Sequence, residues 1–454
     1  MPAKSKSLLE GNVKKHVLSL TWPMIFGIFA ILSTSIVDTY FVGKLGTNQL
    51  AALSFTFPVV LGLSSISIGL GIGTSSVISR TVGSEDRQET RRIATDSLLL
   101  SFLLISFFSL TGFLIVRPLF SLLGAQGEVL SYIVSYMRIW FLALPLLVIP
   151  MVSGSIIRAL GDSFWPSLQM VASAVINIIF TPILIYGSFG FPKLGFDGAA
   201  WGTCVAWVFT LFFAVYLVVV REDLIVFERV SISRIFLSWK KIFVVAIPSA
   251  LSQVVHPVSI GVITSFIAEY GADSVAAFGV GTRIESLCLI PLFALSAGIP
   301  PVAGQNWGAS KFARAKKAMT FGYQLSIIWG LFISLSVFFA ASEIAALFSS
   351  NIEVVRSAAS YIKVVIFTIM GYGIVMCSSA VFNATGRPLI SFSYSILRSI
   401  ILYIPLSFIA MKVFQQERGI FLAIGASNII AGVVAASYSL YVFKDIKEEE
   451  EEEG

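Results

Sequence analysis

One acidic side chain, Asp38, lies inside the apolar stretch TSIVDTYFVG (34–43). No other charged side chain occurs between His16 and Lys44. A carboxylate at the centre of a membrane helix costs roughly 2.5–3.5 kcal/mol on insertion scales, and intramembrane acids usually mark ion or proton pathways. Asp38 could therefore exchange a proton or bind a cation. A structural hydrogen bond to a neighbouring helix is the alternative.

The second half of the chain has further ionisable side chains within apolar stretches. Opposite charges there could form a buried network that neutralises itself, or a gate that contacts substrate. The candidates are His256, Arg283, Glu285, Lys363 and Arg398. For the histidine, which precedes a proline, we favour a satisfied polar group at a bent helix over a proton carrier.

The sequence has no motif for covalent or nucleotide chemistry. It contains no Walker loop, no Ser/His/Asp set at useful spacing and only two histidines. Its three cysteines lie singly in apolar runs, which indicates packing residues and neither a disulfide nor a zinc site. We therefore expect no enzymatic activity and no cofactor.

The composition indicates a polytopic membrane protein. Of 454 residues, 56% are hydrophobic and 12% charged, which leaves too little polar surface to cover a soluble globule. Lys and Arg outnumber Asp and Glu by 31 to 25. Because the basic residues lie in short loops between apolar runs, this excess reflects membrane topology and not nucleic-acid binding.

About 20 apolar residues are needed to cross a bilayer, and twelve stretches meet this length. The first is too long for a signal peptide and lacks a cleavage site. The predicted spans are 17–42, 51–79, 93–116, 130–157, 166–187, 198–220, 242–268, 275–302, 318–341, 355–382, 390–411 and 419–443.

The longest connection divides the chain into two halves of six spans. We predict an N-lobe over 1–221, a cytoplasmic linker over 222–241 and a C-lobe over 242–454, which ends in a solvated acidic tail. Lys and Arg concentrate in both termini and in the even-numbered connections, so both termini are predicted to be cytoplasmic. The expected location is the cytoplasmic membrane, crossed many times.

The two halves repeat each other. A constant shift of 225 residues superposes Pro23 on Pro248 and Tyr136 on Tyr361, and the same shift aligns the segment 46–52 with 271–277. One ungapped shift over a long stretch indicates a duplication. Because six is an even number of spans, both copies have the same orientation in the membrane, and the repeats are parallel.

Two parallel six-helix lobes are typical of transporters that work by alternating access. A channel or receptor is a rival class, which the ungapped duplication favours less. Without a nucleotide-binding loop, the energy must come from an ion gradient or a partner protein. We expect a monomer whose partners are small substrates and membrane lipids, with no nucleic acid.

The order of the short motifs resembles the multidrug and toxic compound extrusion (MATE) family over residues 12–443. These motifs are Gly46-x4-Ala51-Ala52, Gly69-x-Gly71-x-Gly73-Thr74, Ile157 to Asp162, Asn177-x4-Pro182, Gly198 to Thr203 and Val302 to Ala309. The resemblance implies export of amphipathic, often cationic compounds in exchange for entering H⁺ or Na⁺.

Within this family the chain looks more like the DinF-like branch than the NorM-like branch. His256 stands near the point where the NorM-like pattern has a glutamate. The DinF-like pattern couples ions in the N-lobe, which implies roles for Asp38, Tyr136, Asn177 and Thr203. The family's second acid in the fifth span is missing, because Thr181 stands there.

The threonine leaves the coupling ion open between H⁺ and Na⁺. Two facing carboxylates would share a proton readily, whereas one carboxylate with neutral oxygens could also form a hard-cation shell. Asn177 and Thr181 are four residues apart and share a helix face. Any metal at Asp38 would therefore be Na⁺.

Prolines inside the predicted spans indicate bends. Pro23 and Pro182 lie in the first and fifth spans, where each removes a backbone hydrogen bond. Bending at Pro23 is expected to change the N-lobe cavity when Asp38 is protonated.

An alternative function is flipping of a lipid-linked saccharide, as in the wider exporter superfamily, although several cleft cations would be expected for a pyrophosphate.

Overall fold

The chain is almost entirely helical in a computed structural model, which describes residues 7–226 and 231–453, with side chains as far as Asp445. The helices in the N-terminal part are α1 (Val13–Gly43), α2 (Thr47–Gly83), α3 (Arg87–Leu122), α4 (Gly127–Ala159), α5 (Phe164–Tyr186), α6 (Phe196–Val215) and α7 (Ile232–Ala268). They are followed by α8 (Ala272–Cys288), α9 (Ile290–Gly308), α10 (Phe312–Phe339), α11 (Ala341–Ala346), α12 (Ile352–Val365), α13 (Ile369–Ala384), α14 (Pro388–Ile396), α15 (Ile404–Phe414) and α16 (Glu417–Glu453).

The helices are long enough and apolar enough to cross a membrane. Within the described residues, eleven helical stretches meet this condition singly, among them α12 with α13 and α14 with α15. The pair α8 and α9, bent by 43°, brings the number to twelve when counted as one span. The predicted all-α membrane fold is confirmed, and the predicted span 275–302 contains the bend.

Helix boundaries repeat with the shift found in the sequence. Helices α2 and α8 begin at Thr47 and Ala272, which are 225 residues apart, and both follow a glycine with positive φ, Gly46 at 144° and Gly271 at 108°. L side chains rarely adopt such φ values, so a glycine at these turns keeps the helix start unstrained. The repeated motif around 46–52 and 271–277 therefore encodes a shared helix start.

Two compact units make up the molecule, and each contains residues from the other half of the sequence. One unit comprises Trp22–Ile247, and the other comprises Leu8–Thr21 together with the chain from Pro248 onward. Helices α1 and α7 thus pass from one unit to the other next to Pro23 and Pro248, which are equivalent in the duplication. The boundary predicted from the sequence, at 222–241, differs from the two positions at which the chain changes unit.

The N-terminal segment is held on the second unit by a basic side chain at the start of α10. The Arg314 guanidinium donates to the carbonyls of Leu8 at 3.2 Å, Glu10 at 3.2 Å and Gly11 at 3.0 Å. Asn306, in the last turn of α9, donates to the same Leu8 carbonyl at 3.2 Å. Arginine can satisfy several carbonyls at once because its donors form a rigid fork.

Candidate functional site

Five predicted residues come together inside the first unit, on four helices. Asp38 is on α1, Tyr136 on α4, Asn177 and Thr181 on α5, and Thr203 on α6. Tyr136 and Asp38 lie close enough to interact electrostatically. The Asn177 side-chain amide donates to the Thr203 hydroxyl at 3.1 Å, which joins α5 to α6. We call these five residues the N-unit polar cluster.

Three oxygens of this cluster lie buried without a hydrogen-bond partner among the described residues. They are Asp38 Oδ1, Asn177 Oδ1 and Thr181 Oγ1. The Thr181 hydroxyl lies beside the Asp38 carboxylate, but its geometry falls outside that of a hydrogen bond. Unpaired buried oxygens are costly, and native proteins usually satisfy them. This arrangement suits a proton or a small hard cation, because each oxygen can accept a hydrogen bond or coordinate an ion.

Close packing of α5 on α6 fixes Thr181 in this cluster. A Cβ added to Gly202 would lie 2.6 Å from Thr181 Oγ1 and 2.7 Å from Thr181 Cα. Thr181 is fully buried and Asn177 is 5% exposed. The glycine therefore allows α5 and α6 to approach closely at Thr181. The sequence motif Gly198 to Thr203 contains this contact.

A second polar cluster lies within the second unit. The Tyr361 hydroxyl on α12 donates to the Glu285 carboxylate on α8. Arg398 donates from Nε to Asn428 Oδ1 at 2.9 Å and contacts His256 Nδ1 from Nη1 at 3.3 Å. Glu285 and Arg398 interact electrostatically, but within the described part of the chain no nitrogen–oxygen pair joins them within 4 Å. We call these residues the C-unit polar cluster.

Two of the five candidates in this half lie apart from the C-unit polar cluster. Arg283 is exposed, and it makes no hydrogen bond or ion pair with the side chains that the structure describes. Lys363 is also exposed, lies 5.4 Å from the centre of the Phe338 ring and lines an open cavity with Arg356 and Arg418. The structure brings together only the remaining three, which are His256, Glu285 and Arg398.

Sequence reasoning did not identify the residues that complete the C-unit polar cluster. Two of them, Tyr361 and Asn428, are described above. The other three, which we include in the cluster from here on, are Thr368, Tyr372 and Tyr403. A signal existed for Tyr361, because it is the equivalent of Tyr136 in the duplication. In each unit this tyrosine faces a buried carboxylate, Asp38 in one unit and Glu285 in the other. The other four occur in apolar stretches with no distinguishing spacing.

A duplicated all-helical chain with up to twelve spans and a polar cluster in each unit defines the class of polytopic membrane transporters. The MatE family model matches residues 23–183 and 248–409, and the chain belongs to this family. The predicted MATE membership is thereby confirmed. The protein is a multi-pass membrane transporter and not an enzyme.

Relatives of this family cover nearly the whole chain. A protein of Shewanella oneidensis named "FAD transporter" is 34% identical over 97% of both chains. The "Multidrug export protein MepA" of Staphylococcus saprophyticus is 26% identical and covers 96% of this chain and 95% of its own. A crystal structure of a mutant of the Vibrio cholerae MATE transporter VcmN is similar with a TM-score of 0.91 at 28% identity, covering 95% of this chain and 97% of that chain.

Proposed function

We propose that this protein is a cation-coupled antiporter that exports organic solutes by alternating access, with Asp38 as the coupling carboxylate. The observation that carries the proposal is the group of three unpaired oxygens in the N-unit polar cluster. A single carboxylate there changes its net charge when it takes up H⁺ or Na⁺. An entering cation thereby alters the interactions between α1, which holds Asp38, and α5, which holds Asn177 and Thr181.

This mode of coupling corresponds to the DinF-like pattern, which uses the N-lobe. It also agrees with the composition of the C-unit polar cluster, in which His256 contacts the positively charged Arg398. A proton or metal ion at His256 would meet the positive charge of Arg398, which disfavours it. We accordingly assign the coupling role to the first unit alone, and we leave both H⁺ and Na⁺ as candidates for the ion.

The substrates we propose are amphipathic and often cationic organic compounds. The relatives named for multidrug resistance or multidrug export, at 26% identity, support this class. Flavin adenine dinucleotide is a second candidate, favoured by the relative named FAD transporter at 34% identity. Efflux of ethidium, of the dinucleotide and of a lipid-linked saccharide from the same reconstituted vesicles compares these classes and the flippase alternative directly.

Substitution of Asp38 tests the coupling role. In vesicles loaded with ethidium, an imposed Na⁺ gradient or an imposed pH gradient should drive efflux by the unaltered protein, and the effective gradient identifies the ion. Asp38→Asn should lower the driven rate at least about tenfold, because an amide neither exchanges a proton nor neutralises a cation.

Asp273→Asn is the matched control, since Asp273 is an exposed carboxylate at the start of α8 that accepts from Asn351. It should leave the driven rate unchanged. Full gradient-driven efflux by Asp38→Asn would contradict the proposal.

A further inference from the structure

Arg398 is the arginine of the C-unit polar cluster and is buried, with 2% of its surface exposed. It lies in the π-helical turn Leu397–Tyr403 that joins α14 to α15. Such turns are rare and occur frequently at functional sites, because the widened turn redirects one side chain. A buried guanidinium costs free energy unless its donors are satisfied and its charge is balanced.

The three donor groups of this guanidinium are not equally used. Nε donates to Asn428 and Nη1 contacts His256 Nδ1, whereas Nη2 has no partner among the described residues. Arginine cannot accept a hydrogen bond, so the Nδ1 atom must accept. His256 is then neutral, with its proton on Nε2. The Tyr403 hydroxyl is buried and also has no partner in the described part of the chain.

The charge of Arg398 is only partly balanced from within the protein. The carboxylate that interacts with it, Glu285, is held by the Tyr361 hydroxyl and lies beyond ion-pair distance. Asn428 uses its amide nitrogen on Thr368 at 3.1 Å. The cluster therefore has two unused donors, Arg398 Nη2 and the Tyr403 hydroxyl, beside a positive charge that no carboxylate reaches within ion-pair distance among the described residues. Unused donors beside a positive charge are suited to bind an anion.

Aromatic rings surround the same guanidinium. Its central carbon lies 3.6 Å from the centre of the Tyr372 ring and 5.5 Å from that of Tyr403. The His256 ring is tilted by 44° against Tyr372, with 5.8 Å between centroids. Tyr372 and His256 are half-buried, so the cluster reaches the surface of the unit at these two rings. Aromatic rings placed in this way contact flat aromatic ligands as well as cations.

We propose that Arg398, with His256, Tyr372 and Tyr403, binds the anionic group of an exported aromatic compound. The chemical class is a flat ring system that bears phosphate or carboxylate, of which flavin adenine dinucleotide is a representative. Arg398 pairs with the anion through Nη2, and the exposed edges of the two half-buried rings contact the aromatic part. This inference rests on the proposed export function and adds to it the part of the substrate that is recognised.

Equilibrium binding to the purified, detergent-solubilised protein tests the inference without a gradient. The probes are flavin adenine dinucleotide, riboflavin as the same ring system without phosphate, and ethidium as an aromatic cation. Arg398→Gln should weaken dinucleotide binding at least about tenfold, because a charge-assisted hydrogen bond to the anion is lost. Riboflavin binding should change less than about threefold, and ethidium binding should stay equal or become tighter.

Two further variants separate recognition from folding. Arg398→Lys keeps the charge without the planar fork and should recover part of the dinucleotide affinity. Arg283→Gln removes an exposed arginine of the same unit and should bind all three probes as the unaltered protein does. Thermal unfolding of each variant identifies any that is merely destabilised.

Equal weakening of all three probes by Arg398→Gln, or dinucleotide binding that is unchanged by it, overturns the inference. So does absence of dinucleotide binding by the unaltered protein. Failure of the proposed export function is a separate result, because gradient-driven efflux would then be missing while this binding difference persists.

Discussion

At the scale of single residues, we propose that Thr181 determines which cation the N-unit polar cluster binds. The DinF-like pattern that the sequence resembles has a second acid at this position, and here a hydroxyl lies beside Asp38 instead. One carboxylate with amide and hydroxyl oxygens carries a single negative charge, which a proton or one monovalent cation neutralises. A second carboxylate would repel the first, and the pair would hold a proton between them.

Thr181→Asp should therefore make transport depend on a pH gradient alone. Any efflux driven by an imposed Na⁺ gradient should fall at least about fivefold, because a shared proton excludes the metal ion from the oxygens. The measurement compares ethidium efflux under separate Na⁺ and pH gradients. Thr210→Asp, at another buried threonine of the first unit, tests whether a new acid alone has this effect. An unaltered response to both gradients would contradict the prediction.

At the scale of helices, the contact between α5 and α6 positions Asn177 and Thr181 of the N-unit polar cluster. Gly202 has no space for a side chain, since the nearest atoms to an added Cβ include the Thr181 backbone. The backbone cannot rotate out of the way as a flexible side chain would, so the two helices must separate. Overpacking of this kind typically costs about 1–3 kcal/mol.

Gly202→Ala should accordingly lower the thermal unfolding temperature and weaken coupling through the displaced Thr181. Gly279→Ala is the control, because an added Cβ at Gly279, within α8, meets no atom within 4 Å. Alanine also favours the helix by about 0.5–1 kcal/mol over glycine, so this control should be equally stable or more stable. The check is thermal unfolding of both variants in one detergent. A Gly202→Ala protein as stable as the control would show that the helices separate at little cost.

The sequence predicts which segments form helices better than it predicts which side chains of those helices contact each other. Apolar length identifies the spans, and the 225-residue shift aligns Thr47 with Ala272 at helix starts. Which side chains meet depends on the face that each helix buries. Arg283 and Glu285 are two residues apart, which places them on different sides of α8. One is exposed and the other is buried, and composition alone does not distinguish them.

The residues of the N-unit polar cluster were predicted from a different kind of evidence. They follow from a resemblance to a family whose motifs match position by position, and the structure brings all five together. The residues of the C-unit polar cluster had no such guide, and its aromatic members are ordinary in a chain rich in such residues. The family resemblance therefore predicted one cluster as a set, whereas periodicity predicted only the elements that hold the other.

At the scale of the whole molecule, the exchange of segments between the two units is the feature that the sequence did not indicate. Connection lengths placed the division at 222–241, but α1 and α7 change unit beside Pro23 and Pro248. A proline leaves the carbonyl four residues earlier without its helical partner, which is Ser19 in α1. The helix is therefore most easily bent at the point where it passes from one unit to the other, fifteen residues before Asp38.

Pro23→Ala should slow gradient-driven export severalfold and leave substrate affinity within about twofold. The alanine restores an N–H that can donate to the Ser19 carbonyl, which stiffens α1 where both units share it. Initial efflux rates and equilibrium binding of ethidium separate the two quantities. Pro118→Ala is the matched control, because Pro118 lies inside α3, which stays within one unit. If the control slows export as much as Pro23→Ala does, or if Pro23→Ala exports at the normal rate, α1 does not transmit the state of Asp38 by bending at this proline.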